Sequence, residues 1–169
     1  MRRALVPLIA GALSCGFLLP SASARDETRA PSCPASFIHY RADPRALDGV
    51  NGVPWIASTN TAFRGYLFYF GGTRWARVRP ARAWIFTTRA RTKVNPKVLW
   101  VAQGSSSSAV RITGTRLDRR GSFTSTYDAA IGGRQFPSYV LAPAAGCWRV
   151  SLRSGSAHGS VIFNASDKP

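Results

Sequence analysis

The sequence predicts an all-β protein, a single antiparallel β-sandwich. Three observations point there. Apolar and aromatic residues come in short runs, several of which alternate with polar ones. Clusters of Gly, Pro, Asn and Ser fall between the runs at regular spacing. The 3.6-residue periodicity of an amphipathic helix is missing along the chain. Short alternating runs bounded by turn residues are what a half-buried strand requires, and many of them in series favour two packed sheets over an α/β layout.

Ser36–Tyr40 reads as a first strand. Residues 43–61, with Pro44, Gly49, Asn51, Gly52, Pro54 and Asn60, read as a long loop with room for one helical turn. Arg64–Phe70 (RGYLFYF) is aromatic-rich and β-forming. Gly71-Gly72 then gives a hairpin signal into Thr73–Arg79, whose period two puts Trp75, Arg77 and Arg79 on one side. Pro80 ends that run. Ala83–Thr88 is the next strand. Lys97–Ala102 (KVLWVA), entered through Asn95-Pro96, is apolar on both faces and so reads as a central strand covered on both sides.

Gln103–Ser108 is a polar loop. Ala109–Thr113 alternates, with Val110 and Ile112 inward and Arg111 and Thr113 outward. Gly114–Gly121 reads as a turn region. Ser122–Tyr127 and Gln135–Leu141 are strands divided by Gly132-Gly133. The last hairpin sets Trp148, Val150 and Leu152 inward against Arg149, Ser151 and Arg153 outward. It turns through Ser154–His158 and returns over Gly159–Asn164 with Val161 and Phe163 inward. The total is eight to ten short strands.

The N-terminus reads as an export signal. Arg2 and Arg3 form a positive start, Ala4–Pro20 is apolar, and Ala22-Ser23-Ala24 is a small-residue cleavage site. The competing reading is a membrane anchor, for which the run is short. A further alternative is lipidation at Cys15, which would leave the mature chain anchored. Removing residues 1–24 takes 169 residues to 145, one domain's worth, and with Arg2 and Arg3 takes the net charge from +16 to +14. Residues 25–34 are polar and proline-bearing, a flexible leader to a domain spanning 35–169.

Two cysteines survive this processing, Cys33 and Cys147. An exported chain meets oxidising conditions, and an even pair suits a disulfide. A redox or metal-binding role is the alternative, and the chain has no CxxC. Period two places Cys147 on the Arg149 side of its strand, away from Trp148. A bridge there would clip the N-terminal segment across an end or outer face of the sandwich.

Charge is the most unusual number. The chain has 23 Lys+Arg against 7 Asp+Glu, and between Asp48 and Asp118 eleven basic residues occur with no acidic one. Such a field draws anionic surfaces. A basic exterior also keeps a protein soluble, and arginine bias also follows codon composition. Arg74, Arg77, Arg79, Arg82, Arg89, Arg91 and Lys93 fall within twenty positions, with Trp75 and Trp84 among them. Guanidinium forks suit phosphate and sulfate, and an indole under an arginine can also stack a sugar or a base. These nine residues are the candidate anion site. Its partners would be anionic envelope polysaccharide or lipid headgroups, and nucleic acid is set aside for an exported chain. The plainer reading is that the tryptophans are core and the arginines a solvated face.

Pro143–Trp148 (PAAGCW) resembles a pattern in small exported bacterial proteins of unknown function. These have Cys-Pro early in the mature chain, a T-G-x-R-L-D turn after a strand, and P-x-x-G-C-W-x-V near the C-terminus. The matching residues here are Cys33-Pro34, Thr113-Gly114-Thr115-Arg116-Leu117-Asp118 and Gly146-Cys147-Trp148-Arg149-Val150. The resemblance spans residues 33–164. It implies an immunoglobulin-like sandwich and a Cys33–Cys147 pairing, and supplies no activity. A looser likeness is to periplasmic copper-resistance sandwiches, echoed by Pro143, Gly146, Trp148, His158, Gly159 and Phe163. Those proteins use a histidine at or beside the mature N-terminus, where this chain has Arg25-Asp26-Glu27.

Catalytic and metal chemistries have little to work with. His39 and His158 are the only histidines and Met1 the only methionine, whereas a closed metal site takes three or four ligands. No G-x-S-x-G is present, and Asp43, Asp48, Asp118 and Asp128 fall in loops and turns, which favour Asp for backbone reasons. The expectation is a non-enzymatic exported binding or structural protein without a cofactor. The runner-up is a periplasmic metal-handling protein or hydrolase centred on His39 and His158.

Overall fold

The structure, a computed structural model, describes residues 32–46, 50–70, 79–90, 95–104, 107–130 and 132–168. The chain divides into Met1–Ala30 and Pro31–Pro169, and every described residue belongs to the second unit. The export signal, Cys15, most of the leader and the strand expected at Thr73–Arg79 therefore lie outside the described residues, apart from Arg79 itself. No helix among the described residues is long and apolar enough to cross a membrane.

Nine strands form among the described residues: β1 Trp55–Ala57, β2 Phe63–Leu67, β3 Trp84–Phe86, β4 Lys97–Ala102, β5 Ala109–Arg116, β6 Ser122–Asp128, β7 Gln135–Tyr139, β8 Gly146–Ser154 and β9 Ala157–Ser166. They make a four-stranded sheet ordered β1-β2-β4-β7 and a five-stranded sheet ordered β3-β9-β8-β5-β6. Val98, Trp100 and Phe136 from the first sheet share one core with Val110, Ile112, Trp148, Val150, Leu152 and Phe163 from the second. Each such fully buried large side chain contributes roughly 1.5–3 kcal/mol of transfer free energy. Period two therefore sets which face of each strand turns inward. β8 shows this directly, with Trp148, Val150 and Leu152 buried and Arg149, Ser151 and Arg153 exposed.

β4 runs from Lys97 to Ala102, as the sequence predicts, and both of its faces are covered. Val98, Trp100 and Ala102 face the main core. Leu99 and Val101 pack outward, with Tyr66, under Ala46, Val50 and Val53 of the preceding long loop.

Several expectations are corrected. β1 lies inside the stretch expected to be loop. It is only three residues long, too short to show a period. β2 stops at Leu67, and Phe68–Phe70 form a 3-10 turn instead of continuing the strand. Tyr69 and Phe70 are both buried, and consecutive residues of a strand would face opposite ways. β5 runs on through Gly114 to Arg116, so the turn is Leu117–Gly121. β3 and β7 are shorter than expected. The sandwich is not wholly antiparallel: β3 pairs parallel with β9, Ile85 opposite Ala165. Strand direction across so long a sequence separation follows the path of the chain between sheets, which local patterning does not record.

Ser36–Tyr40 is extended but joins no sheet as a strand. It makes two isolated bridges instead, Phe37 to Arg82 beside β3 and His39 to Trp55 of β1. One segment thus covers an edge of each sheet, where unpaired backbone groups would otherwise face solvent. The disulfide Cys33–Cys147 fixes the start of this segment to β8. Cys147 lies on the Arg149 side of β8, opposite in sense to Trp148, as period two requires.

The two longer motifs dock on one another. Arg116 holds Asp118 with a bidentate pair of bonds, at 3.0 and 2.8 Å, and donates to the Ala145 carbonyl at 2.6 Å. Its guanidinium lies 5.5 Å from the centroid of Trp148, whose Nε1 donates to the Ala144 carbonyl. Gly146 adopts φ +141°, and a Cβ there would run into the Arg116 and Asp118 side chains. Glycine at this place lets the TGTRLD turn close on PAAGCW. The residues that carry the resemblance therefore form a structural clasp.

That clasp carries a pH signature. The Arg116 hydrogen bonds hold the Asp118 carboxyl down to about 2 from its ordinary 3.8. A pKa lowered by folding gives stability that is complete above the ordinary value and is lost as pH falls through about 2. The pair is partly solvated, so the expected loss in Asp118→Asn is less than about 1 kcal/mol at neutral pH. Urea midpoints measured from pH 7 down to 2 should show the variant's deficit shrinking steadily below about pH 4. A deficit independent of pH would contradict this.

Candidate functional site

The site expected from sequence is described only in part. Arg74, Trp75, Arg77, Arg91 and Lys93 lie outside the described residues. Arg79 sits over the Tyr40 ring at 5.7 Å, and Arg82 lies over Phe37 at 3.6 Å and donates to the Ala35 carbonyl at 2.9 Å. These two arginines grip the N-terminal segment. Arg89 is exposed in the turn after β3. Trp84 is half-buried and packs edge-on against Tyr69, Phe70 and Phe86. Arg79, Arg82 and Trp84 thus have structural partners within the fold.

The histidines of the runner-up reading have separate surroundings. His39 stacks on Trp55, centroids 4.2 Å apart, and Arg64 lies 5.0 Å from the same indole. His158, expected in the hairpin loop, is instead an exposed residue of β9, because the turn is only Gly155-Ser156, with Ser154 paired to Ala157. Among the described residues no three of His, Cys, Asp and Glu gather closely enough to hold a metal ion.

A different set converges on the outer face of the five-stranded sheet. Register places Arg111 of β5 directly opposite Arg153 of β8, and Arg153 opposite His158 of β9. Thr126 of β6 completes the row. The next row along the strands is Thr124, Thr113, Ser151 and Ser160, and the one beyond it is Ser122, Thr115, Arg149 and Ile162. The face is therefore a lattice of hydroxyls carrying three arginines and a histidine.

One wall rises at its β9 side. Thr59 donates its N–H to the Ser160 carbonyl at 2.9 Å and accepts from the Ser160 N–H through its hydroxyl at 3.4 Å. Asn60 donates to the carbonyl of His158. Gly159 permits this approach, since a Cβ there would fall 2.7 Å from the Cβ of Ser58. Floor and wall enclose a broad cleft of about 870 Å³, lined by Thr59, Asn60, Arg111, Ser151, Arg153 and His158 among others.

The arginines of the floor form no ion pair with a described residue. Like charges directly opposite in a sheet are destabilising. The ion pairs among the described residues involve only Asp43 and Asp118, neither of which lies on this face. Arg111, Arg149 and Arg153 make no side-chain hydrogen bond or ion pair to any described residue. Asp128 stands on the same face of β6, opposite Ala109, without pairing with them. The face can therefore offer charge to an anion, and folding alone gives no reason for two arginines to stand directly opposite one another.

Sequence patterning marks Arg111, Arg149 and Arg153 as outward residues. It does not bring them together, because alternation gives the face of a strand and not its register against a neighbour.

Fold and face together define an all-β module of two packed sheets, stapled by a disulfide, with a basic polar cleft on one outer surface. Comparison with protein-family models, with curated proteins and with solved structures finds no match for this chain.

Proposed function

We propose that this chain is an exported, non-catalytic, immunoglobulin-like sandwich of the cell envelope that binds anionic groups on the outer face of its five-stranded sheet. The observation that carries the reading is the Arg111–Arg153 pair, in register and without an ion pair to any described residue. An anion seated there relieves the repulsion and gains charge-assisted hydrogen bonds. The overall charge of +16 on the full chain steers anionic partners toward the protein from a distance. Export is supported by the signal-like N-terminus and by a disulfide, which persists in oxidising compartments. The sandwich reading rests on two sheets sharing one core, and its immunoglobulin-like character on the sequence resemblance and on one segment edging both sheets.

The test separates a site from a diffuse field. The mature protein should be retained on a sulfated polysaccharide column and eluted by moderate salt. Arg111→Ser with Arg153→Ser should elute at clearly lower salt than Arg119→Ser with Arg120→Ser, which removes equal charge from the exposed turn after β5. Loss of two charge-assisted contacts should weaken binding about tenfold or more. Equal shifts in the two double variants would sink the proposal.

A further inference from the structure

Rows of side chains on the outer sheet face narrow the anion to a ligand class, and this narrowing rests on the anion-binding function proposed above. Neighbouring strands lie about 4.8 Å apart and alternate residues of one strand about 6.8 Å apart. Arg111 and Arg153 therefore rise from directly opposed positions one strand apart, close enough at the backbone for both guanidinium forks to reach one anion. The Thr113 and Ser151 hydroxyls stand about 6.8 Å further on, and Arg149 about the same distance beyond them. Neither the Thr113 nor the Ser151 hydroxyl bonds to another described residue. Along β8 the exposed order is cation, hydroxyl, cation.

A carboxylate's two oxygens lie in one plane, so a bidentate pair with one fork leaves the second guanidinium only the outer lone pairs of those oxygens. A tetrahedral ester has three free oxygens pointing in different directions and accepts from both. The unpaired hydroxyl row beside it suits a partner that itself carries hydroxyls. A bilayer would find little to enter on these rows, since among the described residues the exposed large apolar ones, Phe37, Phe68, Leu117, Tyr139 and Leu141, lie off them, and Ile162 on the face is half-buried.

We infer that the cleft takes a phosphate or sulfate monoester of a saccharide, with the ester between Arg111 and Arg153 and the sugar over Thr113 and Ser151. Arg149 is placed to meet a second anionic group of an extended glycan.

Titrations followed by backbone amide shifts test this, with glucose 6-phosphate, glucose 6-sulfate, glucuronate, inorganic phosphate, inorganic sulfate and phosphatidylglycerol vesicles as probes. Both sugar esters should shift amides of β5 and β8 around Arg111 and Arg153, and glucuronate should bind at least about tenfold more weakly. Arg153→Lys, which keeps the charge and removes the fork, should lose about tenfold toward the esters. Thr113→Val with Ser151→Ala should weaken the sugar esters several-fold and leave inorganic phosphate and sulfate unchanged. All these positions are on the outer sheet face, and an otherwise unchanged amide spectrum confirms that each variant is folded. Glucuronate binding as tightly as the esters at these arginines would overturn the ester assignment while the anion site stands. Inorganic phosphate or sulfate matching the sugar esters would overturn the saccharide part, and tighter binding to vesicles would replace it with a lipid headgroup. No probe shifting these amides would overturn the inference, and with column retention equal in the two double variants the anion site would fall as well.

Discussion

Replacing Cys33 and Cys147 together by serine is expected to lower the stability of the domain by roughly 4–5 kcal/mol. The bridge closes a loop with a sequence separation of 114. In the chain-entropy model, releasing a loop of that length gives the unfolded chain about that much conformational freedom. A domain of this size has about 5–15 kcal/mol to lose, so the reduced form should be marginal at body temperature. The native consequence is local as well. The bridge anchors the segment whose backbone pairs with both sheet edges, through Ile38 N–H to Ala81 carbonyl and His39 N–H to Trp55 carbonyl. Urea unfolding of the double variant should show the lowered midpoint, and hydrogen exchange should quicken first at Ile38 and His39. A midpoint unchanged at equal slope would show that the bridge constrains nothing the packing does not already hold.

Asp43→Asn should be the most damaging single polar substitution, at about 3–5 kcal/mol. Asp43, at the start of the long loop, is buried, accepts the Tyr66 hydroxyl at 2.9 Å and faces Arg64 Nε at 3.4 Å. The Arg64 side chain is 9% exposed, and its Nη1 has no hydrogen-bond partner among the described residues. The stacked Trp55 gives that guanidinium a ring face but no counter-charge. Burial, and after it the Asp43 hydrogen bond and charge, pushes the Tyr66 phenol well up, so tyrosine stays neutral and the pair remains Asp43 with Arg64. Removing the carboxylate's charge strands a buried cation, which is far costlier than removing both partners. Asp43→Leu with Arg64→Met should therefore recover part of the loss, the Tyr66 hydroxyl being left without its acceptor. Denaturant midpoints of the single and paired variants decide the matter. A single variant within about 1 kcal/mol of wild type would mean that water reaches Arg64.

The contrast between Asp43 and Asp118 shows where residue type informs and where it does not. Both aspartates read as turn residues. Asp118 is one, clasped by Arg116 two residues earlier, a partnership that local spacing already offers. Asp43 also receives the N–H of Arg45, a turn bond, but its main partners are 21 and 23 residues away on β2. Nothing in the residues around Pro44 says that the loop folds back over the outer face of the first sheet. The apolar second face of Lys97–Ala102 is the trace it leaves, since Leu99 and Val101 need a cover.

Trp75, Arg77 and their neighbours stand out because they are close in sequence, while Arg111, Arg149 and Arg153 are split between two strands. Their common surface exists only once β5 lies beside β8. His158 escapes local patterning for a related reason. Ser154 and Ala157 close the hairpin in two residues, so the histidine enters the strand and lines up with Arg153.

The alternation of buried and exposed side chains, the even pair of cysteines and the excess of arginine were enough to determine an all-β fold, most of its inward residues, its disulfide and its strongly positive charge, because each depends on the covalent sequence and a local period of two. The pairing partners, the parallel β3–β9 edge, the buried Asp43–Arg64 pair and the basic row were decided by tertiary structure alone. They depend on register between strands distant in the chain, and that is set by how two apolar faces close on one another.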